Sequence, residues 1–395
     1  MKKMKRVAVV AAGQAVAGLK RGVTYGDIIA EAAKATFDSN KNISHKEIES
    51  FIMCSVFPER AAFQSNIAAF GAQIVGLNPE KIDLFARVEG MCGSGTIGIR
   101  TAWMAIQAGY TDMVLVIGAE KMMIPSKGEV FLNMMAGAHR EWDAAMGLTP
   151  PAMYALCATS HMEKYGTTEE QMAMVSVKNH KNSEKNPYAA FRNLTTVDEV
   201  MNSVMISTPV KLYDCCSNAD GAAGVIIASE ERAKDLTDKP VWITGTAQGY
   251  DGFSFANIYE DWSNWRSLKW AANRAYEMAG IKAEDLDIAE VHDCFTISEI
   301  IEYEELGFCE KGEGGKLIQE GLADYGGKIV TQPSGGRIGL GHPLGASGVY
   351  QVVDTYKQLR GEMGERQVEG AKLALTHTMS GPGNEHHVLI LQGGD

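Results

Sequence analysis

Two glycine-rich turns carry the residues best suited to covalent chemistry. Cys92 stands in Val88-Glu-Gly-Met-Cys-Gly-Ser-Gly-Thr96, directly before a helical pattern. The glycines allow close approach of a substrate, and the free N–H groups and positive dipole end of the helix face the thiol. Such a position lowers a thiol pKa and makes a nucleophile, where an ordinary free cysteine is a buried inert one. His342, in Gly339-Leu-Gly-His-Pro-Leu-Gly345, occupies a similar turn held by Pro343. If the two turns meet, His342 can take the Cys92 proton, or aim a proton at a substrate carbonyl. His292 and Cys294 in Val291-His-Asp-Cys-Phe295, and His377 in Leu375-Thr-His-Thr-Met-Ser-Gly-Pro-Gly383, end buried strands, where α/β folds place function. His386 and His387 lack a Cys or carboxylate at metal spacing and read as surface or packing residues. Adjacent Cys215 and Cys216 do not suit a disulfide.

Other chemistries are excluded by what the chain lacks. There is no G-x-x-x-x-G-K-[ST], and Gly93-Ser-Gly95 is not followed by a third glycine at dinucleotide spacing, so no nucleotide or nicotinamide loop is supported. Seven scattered cysteines without C-x-x-C fit a reduced cytoplasm and no structural metal. The net charge of −12, with no long basic tract, argues against nucleic acid as a partner. Apolar runs such as Met113 to Ala119 are far short of the roughly 18 to 20 residues that span a bilayer. The basic start, Met1 to Arg6, reads as a charged lead into the first strand.

The elements that would position these groups are duplicated. Cys92, Gly95 and Gly98 have the spacing of His342, Gly345 and Gly348, and a helical pattern follows each, about 93–108 and about 344–359. The first helix is small or apolar all round and should be buried; the second carries more polar residues after its first turns. Glu47 to Phe57 matches Asp285 to Phe295, and the apolar runs 6–12, 113–119 and 225–228 match 241–247, 372–377 and 388–391. Strands this apolar are buried on both faces, which predicts two α/β halves related by pseudo-symmetry, with the two turns facing one another. Residues 120–207 form an insertion holding 11 of the 20 methionines, an adaptable lining for an apolar ligand or ordinary core filler. Within it, Lys178, Lys181, Lys185 and Arg192 against one Glu184 make an island that a ligand phosphate, or a solvated helix face, would explain.

Together these residues resemble the thiolase superfamily along essentially the whole chain, and within it the sterol-carrier-protein branch with its bacterial and archaeal relatives. The motifs are Met91-Cys-Gly-Ser-Gly95, Val291-His-Asp-Cys-Phe295 and Gly341-His-Pro-Leu-Gly-Ala-Ser-Gly348, with Met174 to His180, Asn186-Pro187 and Ser217 to Ala223 in support. The resemblance implies an α/β fold of duplicated α-β-α-β-α layers: an N-terminal half (1–119 plus 208–238), an inserted cap (120–207) for coenzyme A and acyl binding, and a C-terminal half (239–395). It implies thiolytic cleavage of a 3-oxoacyl-CoA, or the reverse Claisen condensation, through an acyl group on Cys92, with coenzyme A as co-substrate and no resident cofactor. His342 would activate Cys92, His292 and His342 would hold the enolate oxygen, and the N–H groups of Cys92 and Met379 would form the oxyanion hole. Where many thiolases carry a second catalytic Cys in C-x-G, this chain has His377-Thr-Met379. Resemblance to the sterol-carrier branch, where the Cys of the H-D-C-F motif takes the acid/base role, implies Cys294 for it here, with His377 as the alternative. Lys178, Lys181 and Arg192 would bind substrate phosphate.

The resemblance also implies a homodimer or dimer of dimers, a small OB-fold and zinc-ribbon partner protein, and a cytoplasmic location. Two alternatives remain at this point: a decarboxylating ketosynthase-like enzyme using Cys92, His292 and His342, and a non-catalytic acyl-CoA-binding subunit. Trp262 and Trp265 read as core or interface residues rather than as acyl-pocket walls.

Overall fold

The computed structural model describes residues 4–124, 126–255, 261–381 and 383–394. Met1 to Lys3 of the basic lead, residues 256–260 of the tryptophan-bearing stretch and Asp395 lie outside the described residues. In chain order the strands and longer helices are β1 (Val7–Gln14), α1 (Tyr25–Asp38), β2 (Ser50–Cys54), α2 (Ile67–Val75), β3 (Leu84–Val88), α3 (Ser94–Ala108) and β4 (Met113–Glu120). The insertion contributes α4 (Lys127–Met135), α5 (Pro150–Tyr165), α6 (Glu169–Glu184), β5 (Met205–Ser207) and β6 (Val210–Lys211). Then follow β7 (Gly221–Ser229), β8 (Val241–Tyr250), α7 (Arg266–Ala279), β9 (Ile288–Glu290), α8 (Thr296–Glu305), β10 (Val330–Thr331), α9 (Ser347–Arg360), β11 (Leu373–Ser380) and β12 (Glu385–Gly393).

The sheet order is β10-β9-β11-β12-β8-β1-β7-β4-β2-β3. Read from the middle outward, the two halves are the same: β1, β7, β4, β2, β3 on one side and β8, β12, β11, β9, β10 on the other. Each half has parallel outer strands (β2 with β3 and β4; β9 with β10 and β11) and antiparallel inner ones. The halves join through β1 and β8 at Ala8↔Trp242 and Val9↔Val241. Every residue of β1, β4 and β7 is buried, as strands covered on both faces require.

Helices complete the layers. α1 and α2 cover the outer face of the N-terminal half, and α7 that of the C-terminal half. α3 and α9 lie between, each packed on strands of both halves. They approach so closely that a Cβ on Gly95 would stand 2.8 Å from the Val349 nitrogen, and one on Gly348 2.7 Å from the Thr96 nitrogen. That is why glycine recurs at matching positions after both turns: it lets one backbone seat on the other.

Two expectations change. α9 is the more deeply buried of the pair, because its polar side chains find partners inside: Gln351 donates to the carbonyls of Val291 and His377, and Asp354 accepts from Arg366. A polar residue on a helix marks an exposed face only when nothing buried can pair with it. The insertion, drawn as ending at residue 207, continues through the β5–β6 hairpin, and the chain re-enters the sheet only at Gly221. Nor, among the described residues, does the cap have a core of its own. Met153, Tyr154, Met172 and Val175 share one apolar cluster with Val291, Ile297 and Ile300 of the C-terminal half. Among the described residues no helix is long and apolar enough to cross a membrane.

Candidate active site

Cys92 sits in a tight turn, Met91–Gly93, that runs straight into α3. Met91 takes a left-handed φ of 48°, a strained conformation for a residue with a long side chain. Ser94 holds the turn, accepting from the Gly90 N–H at 3.0 Å and donating to the Met91 carbonyl at 2.6 Å. Ser380 of β11 donates to the Gly90 carbonyl at 2.6 Å, and His387 Nε2 lies 3.3 Å from the same hydroxyl. His386 and His387 are thus buried packing residues and not surface ones, because β12 is an inner strand of the sheet.

The other turn brings His342 to the nucleophile. His342 Nε2 lies 3.1 Å from Cys92 Sγ, and His342 Nδ1 lies 2.7 Å from Ser347 Oγ. The single Ser347 hydroxyl proton goes to the Pro343 carbonyl at 3.0 Å. Its oxygen must therefore accept from Nδ1–H, which leaves Nε2 with a free lone pair aimed at the thiol. Against the lowering expected of a helix start, burial pushes the Cys92 thiol up to about 12, and it pushes the His342 imidazole down to about 3. The resting pair is consequently neutral, a thiol facing a bare nitrogen. Glu120, buried at the end of β4, accepts from the N–H groups of Val56, Phe57 and Gly345 and so ties the loop after β2 to the His342 turn.

The side chains of Val291-His-Asp-Cys-Phe295 divide, with Phe295 at the cavity beside its neighbour Cys294. His292 and Cys294 face the cavity beside Cys92. Asp293 points away and accepts from the backbone N–H groups of Arg337 and Ile338 and from Asn179. This carboxylate ties the segment to the start of the His342 turn, and a Cβ on Gly336 would stand 2.1 Å from it. The rings of His292 and His342 meet edge to face, with centroids 5.0 Å apart. Ring nitrogens of both lie within 4.8 Å of Cys92 Sγ. Burial, chiefly, and the neighbouring His342 hold His292 well below its ordinary range.

Cys294 contacts Ser298 Oγ at 3.6 Å, and burial raises its thiol well above the usual range; the Tyr154 hydroxyl beside it donates to Met379 Sδ at 3.5 Å. Tyr154 stacks on Phe295 at 4.3 Å between centroids. His377 is placed differently. Its Nε2 lies 3.0 Å from His386 Nδ1, whose ring in turn donates through Nε2 to the Gly383 carbonyl. With both rings neutral, His377 Nε2 carries the proton, and Nδ1 faces Glu302 at 3.6 Å. Neither His377 nor Met379 lines the cavity; Gly381 does.

The cavity, about 240 Å³, opens beside Cys92 between the two halves and the cap. Sequence reasoning missed Tyr154, Cys216, Asn218 and Ser347. Ser347 was within reach, five residues after His342 in the duplicated turn. Tyr154 carries no signal, being one aromatic in an amphipathic helix.

Lys178 departs from the phosphate-binding expectation. It is 4% exposed, its ammonium paired with Glu299 Oε1 and hydrogen-bonded to Thr331, because this face of α6 packs on α8. Lys181 pairs with Asp324 at 2.6 Å, and Arg192 donates to the Glu184 carbonyl. None of the three lines the cavity. Trp265 is fully buried against Tyr154 and His386, and Trp262 stacks on Phe255, both apart from the cavity walls.

Comparison with known proteins matches this arrangement. Residues 7–231 fit the sequence profile of the thiolase N-terminal domain, and residues 251–393 that of the thiolase C-terminal domain-like family. The chain is 38% identical to the acetyl-CoA acetyltransferase of Methanothermobacter thermautotrophicus, over 98% of this chain and 99% of that one. It is 40% identical to sterol carrier protein 2 of Bos taurus, over 74% of this chain and 56% of that protein. Among solved structures, the Ltp2-ChsH2(DUF35) aldolase superposes with a TM-score of 0.85 at 24% identity, covering 98% of each chain.

Proposed function

The chain belongs to the thiolase family, an acyltransferase family acting on coenzyme A thioesters, and on that premise we propose a mechanism for its own residues. Cys92 attacks the 3-keto carbon of a 3-oxoacyl-CoA while His342 Nε2 takes its proton. The tetrahedral oxyanion, held by the Cys92 N–H, collapses with cleavage of the bond between C2 and C3. This leaves an acyl thioester on Cys92 and an acyl-CoA enolate, whose oxygen accepts hydrogen bonds from the two histidines. Cys294 protonates the enolate carbon, then as thiolate takes the proton of incoming coenzyme A. The coenzyme A thiolate attacks the acyl group, and Cys92 leaves and recovers its proton from His342. Read backwards, the same steps are a Claisen condensation.

The single observation that carries this proposal is the 3.1 Å contact between Cys92 Sγ and a nitrogen left bare by Ser347. Cys294 is favoured over His377 as the acid/base because it lines the cavity and has the Ser298 hydroxyl at 3.6 Å, whereas both nitrogens of His377 face other buried groups. A cytoplasmic homodimer belongs to the same proposal, supported by seven unpaired cysteines and by β3, an open sheet edge with Phe85 exposed. So does a small partner protein, since the structural relative is named as an assembly of Ltp2 with ChsH2(DUF35).

Intact-protein mass spectrometry after incubation with acyl-CoA and 3-oxoacyl-CoA esters tests the mechanism. An acyl adduct is expected on the wild type and absent from Cys92→Ser. Cys294→Ala should form the adduct yet fail to turn over. No adduct with any ester, with or without a partner protein, overturns the proposal.

A further inference from the structure

The walls of the cavity specify more than a thioester. Resting on the acyl transfer proposed above, we infer that the acyl group carried by Cys92 is uncharged, apolar and about the size of an aromatic ring or a branched chain, and that the Met91–Gly137 contact sets its upper size. Beyond the reacting groups, the walls are formed by Met91, Phe131, Met134, Met135, Met153 and Leu212. Among the described residues lining it, none is Lys, Arg, Asp or Glu. A carboxylate or ammonium on the acyl group would lose its hydration there with no counter-charge to replace it, Asn218 being the one side-chain amide on the walls. The cavity, which also has to admit the reacting thioester, has about 240 Å³, against the roughly 150 Å³ of an apolar cavity that holds benzene. A two-carbon acyl group would leave most of these walls unfilled, forfeiting the contacts that make burial favourable. Four methionines supply walls that adjust to a bulky shape.

The size limit follows from the strained turn. Met91, left-handed and adjacent to the nucleophile, sends its side chain over Gly137, where an added Cβ would stand 2.4 Å from the Met91 methyl and 2.9 Å from its sulfur. Gly137 does not have a positive φ, so alanine fits its backbone. What must move is the flexible Met91 side chain, and the open direction is the cavity that both residues line. Gly137→Ala therefore shrinks the acyl site without touching Cys92, His342, His292 or Cys294.

The step to be measured forms the Cys92–acyl thioester and releases coenzyme A as the thiol, the proton passing from Sγ to His342 and on to the leaving sulfur. Second-order rates of adduct formation are compared for acetyl-, phenylacetyl-, branched-chain and succinyl-CoA. The ring-sized and branched esters are expected to react at least tenfold faster than the acetyl and succinyl esters. In Gly137→Ala the preference for them over acetyl-CoA should fall at least tenfold. Met134→Trp, which fills the cavity from α4, should give the same change and guards against misfolding of the first variant. Equal or faster reaction of acetyl- or succinyl-CoA overturns the inference and leaves the acyl-transfer mechanism standing. Uniform slowing of all esters in both variants overturns the Met91–Gly137 gate. No adduct from any ester removes the acyl-transfer mechanism itself and this inference with it.

Discussion

Replacing Ser347 by Ala tests the geometry at its most specific point, because Ser347 touches no substrate and acts only by fixing which nitrogen of His342 carries the proton. The hydroxyl accepts from Nδ1–H at 2.7 Å and donates to the Pro343 carbonyl at 3.0 Å. Without it, a buried N–H is left unpaired, at a cost of about 1–3 kcal/mol. The ring escapes that cost by moving its proton to Nε2, where it points at Cys92 Sγ and can no longer accept the thiol proton. A shift of that size corresponds to roughly a tenfold to hundredfold loss of the competent tautomer. The expected result is a fall of that order in the rate of Cys92 acylation, with substrate KM and melting temperature little changed. The pH profile of Cys92 alkylation separates this from general damage. His342, held down to about 3 by burial, stays neutral far below its ordinary pKa, so the wild-type base is present across pH 4 to 8 and the rate should show no limb near 6.5. In Ser347→Ala the surviving competent tautomer still outruns free thiolate, scarce with the thiol pushed up to about 12, so the profile should stay flat at a level tenfold to hundredfold lower. A variant within twofold of wild type, with a superimposable profile, would refute the tautomer argument.

Two further perturbations separate positioning from binding. Gly348→Ala puts a Cβ 2.3 Å from Thr96 Oγ1 and 2.7 Å from its backbone nitrogen. Forcing α3 and α9 apart should cost about 1–3 kcal/mol of stability, and a displacement near 1 Å between Cys92 and His342 should cost roughly a hundredfold in rate. Wild-type melting together with wild-type turnover would show that the two helix starts tolerate separation. Lys178→Met leaves Glu299 buried without its cation and should lower stability by about 3–5 kcal/mol, read from denaturant unfolding. KM for coenzyme A should not change, and a several-fold rise in a well-folded variant would return Lys178 to the phosphate site.

What the chain discloses before folding, and what it withholds, follows from how each residue acts. Cys92 and His342 are legible because both need glycine around them, and glycine at matched intervals after two turns is a backbone requirement written in the sequence. The pairing of apolar runs across the duplication is legible for a similar reason: strands buried on both faces cannot hide their composition. Ser347, Glu120 and Asp293 act by pinning backbone or fixing a tautomer, with side chains of ordinary type, so their roles exist only once the turns are in place. Lys178 misleads because a charge tally counts residues and not faces. On α6 the basic island is divided, with Lys178 turned inward to Glu299 of α8 while Lys181 stays near the surface with Asp324. The same division explains α9, whose Gln351 and Asp354 are polar and wholly buried. The partner of Lys178 lies 121 residues away and those of Gln351 on other elements 60 and 26 residues away, beyond any helical period, and even Arg366, which pairs with Asp354, stands outside the helix. The chemistry sits where the two copies of one motif meet, and the duplication is what makes the pair: one copy supplies a thiol at its turn and the other an imidazole. Neither half carries both, so a break in the contact between α3 and α9 should silence the site even with every named side chain intact.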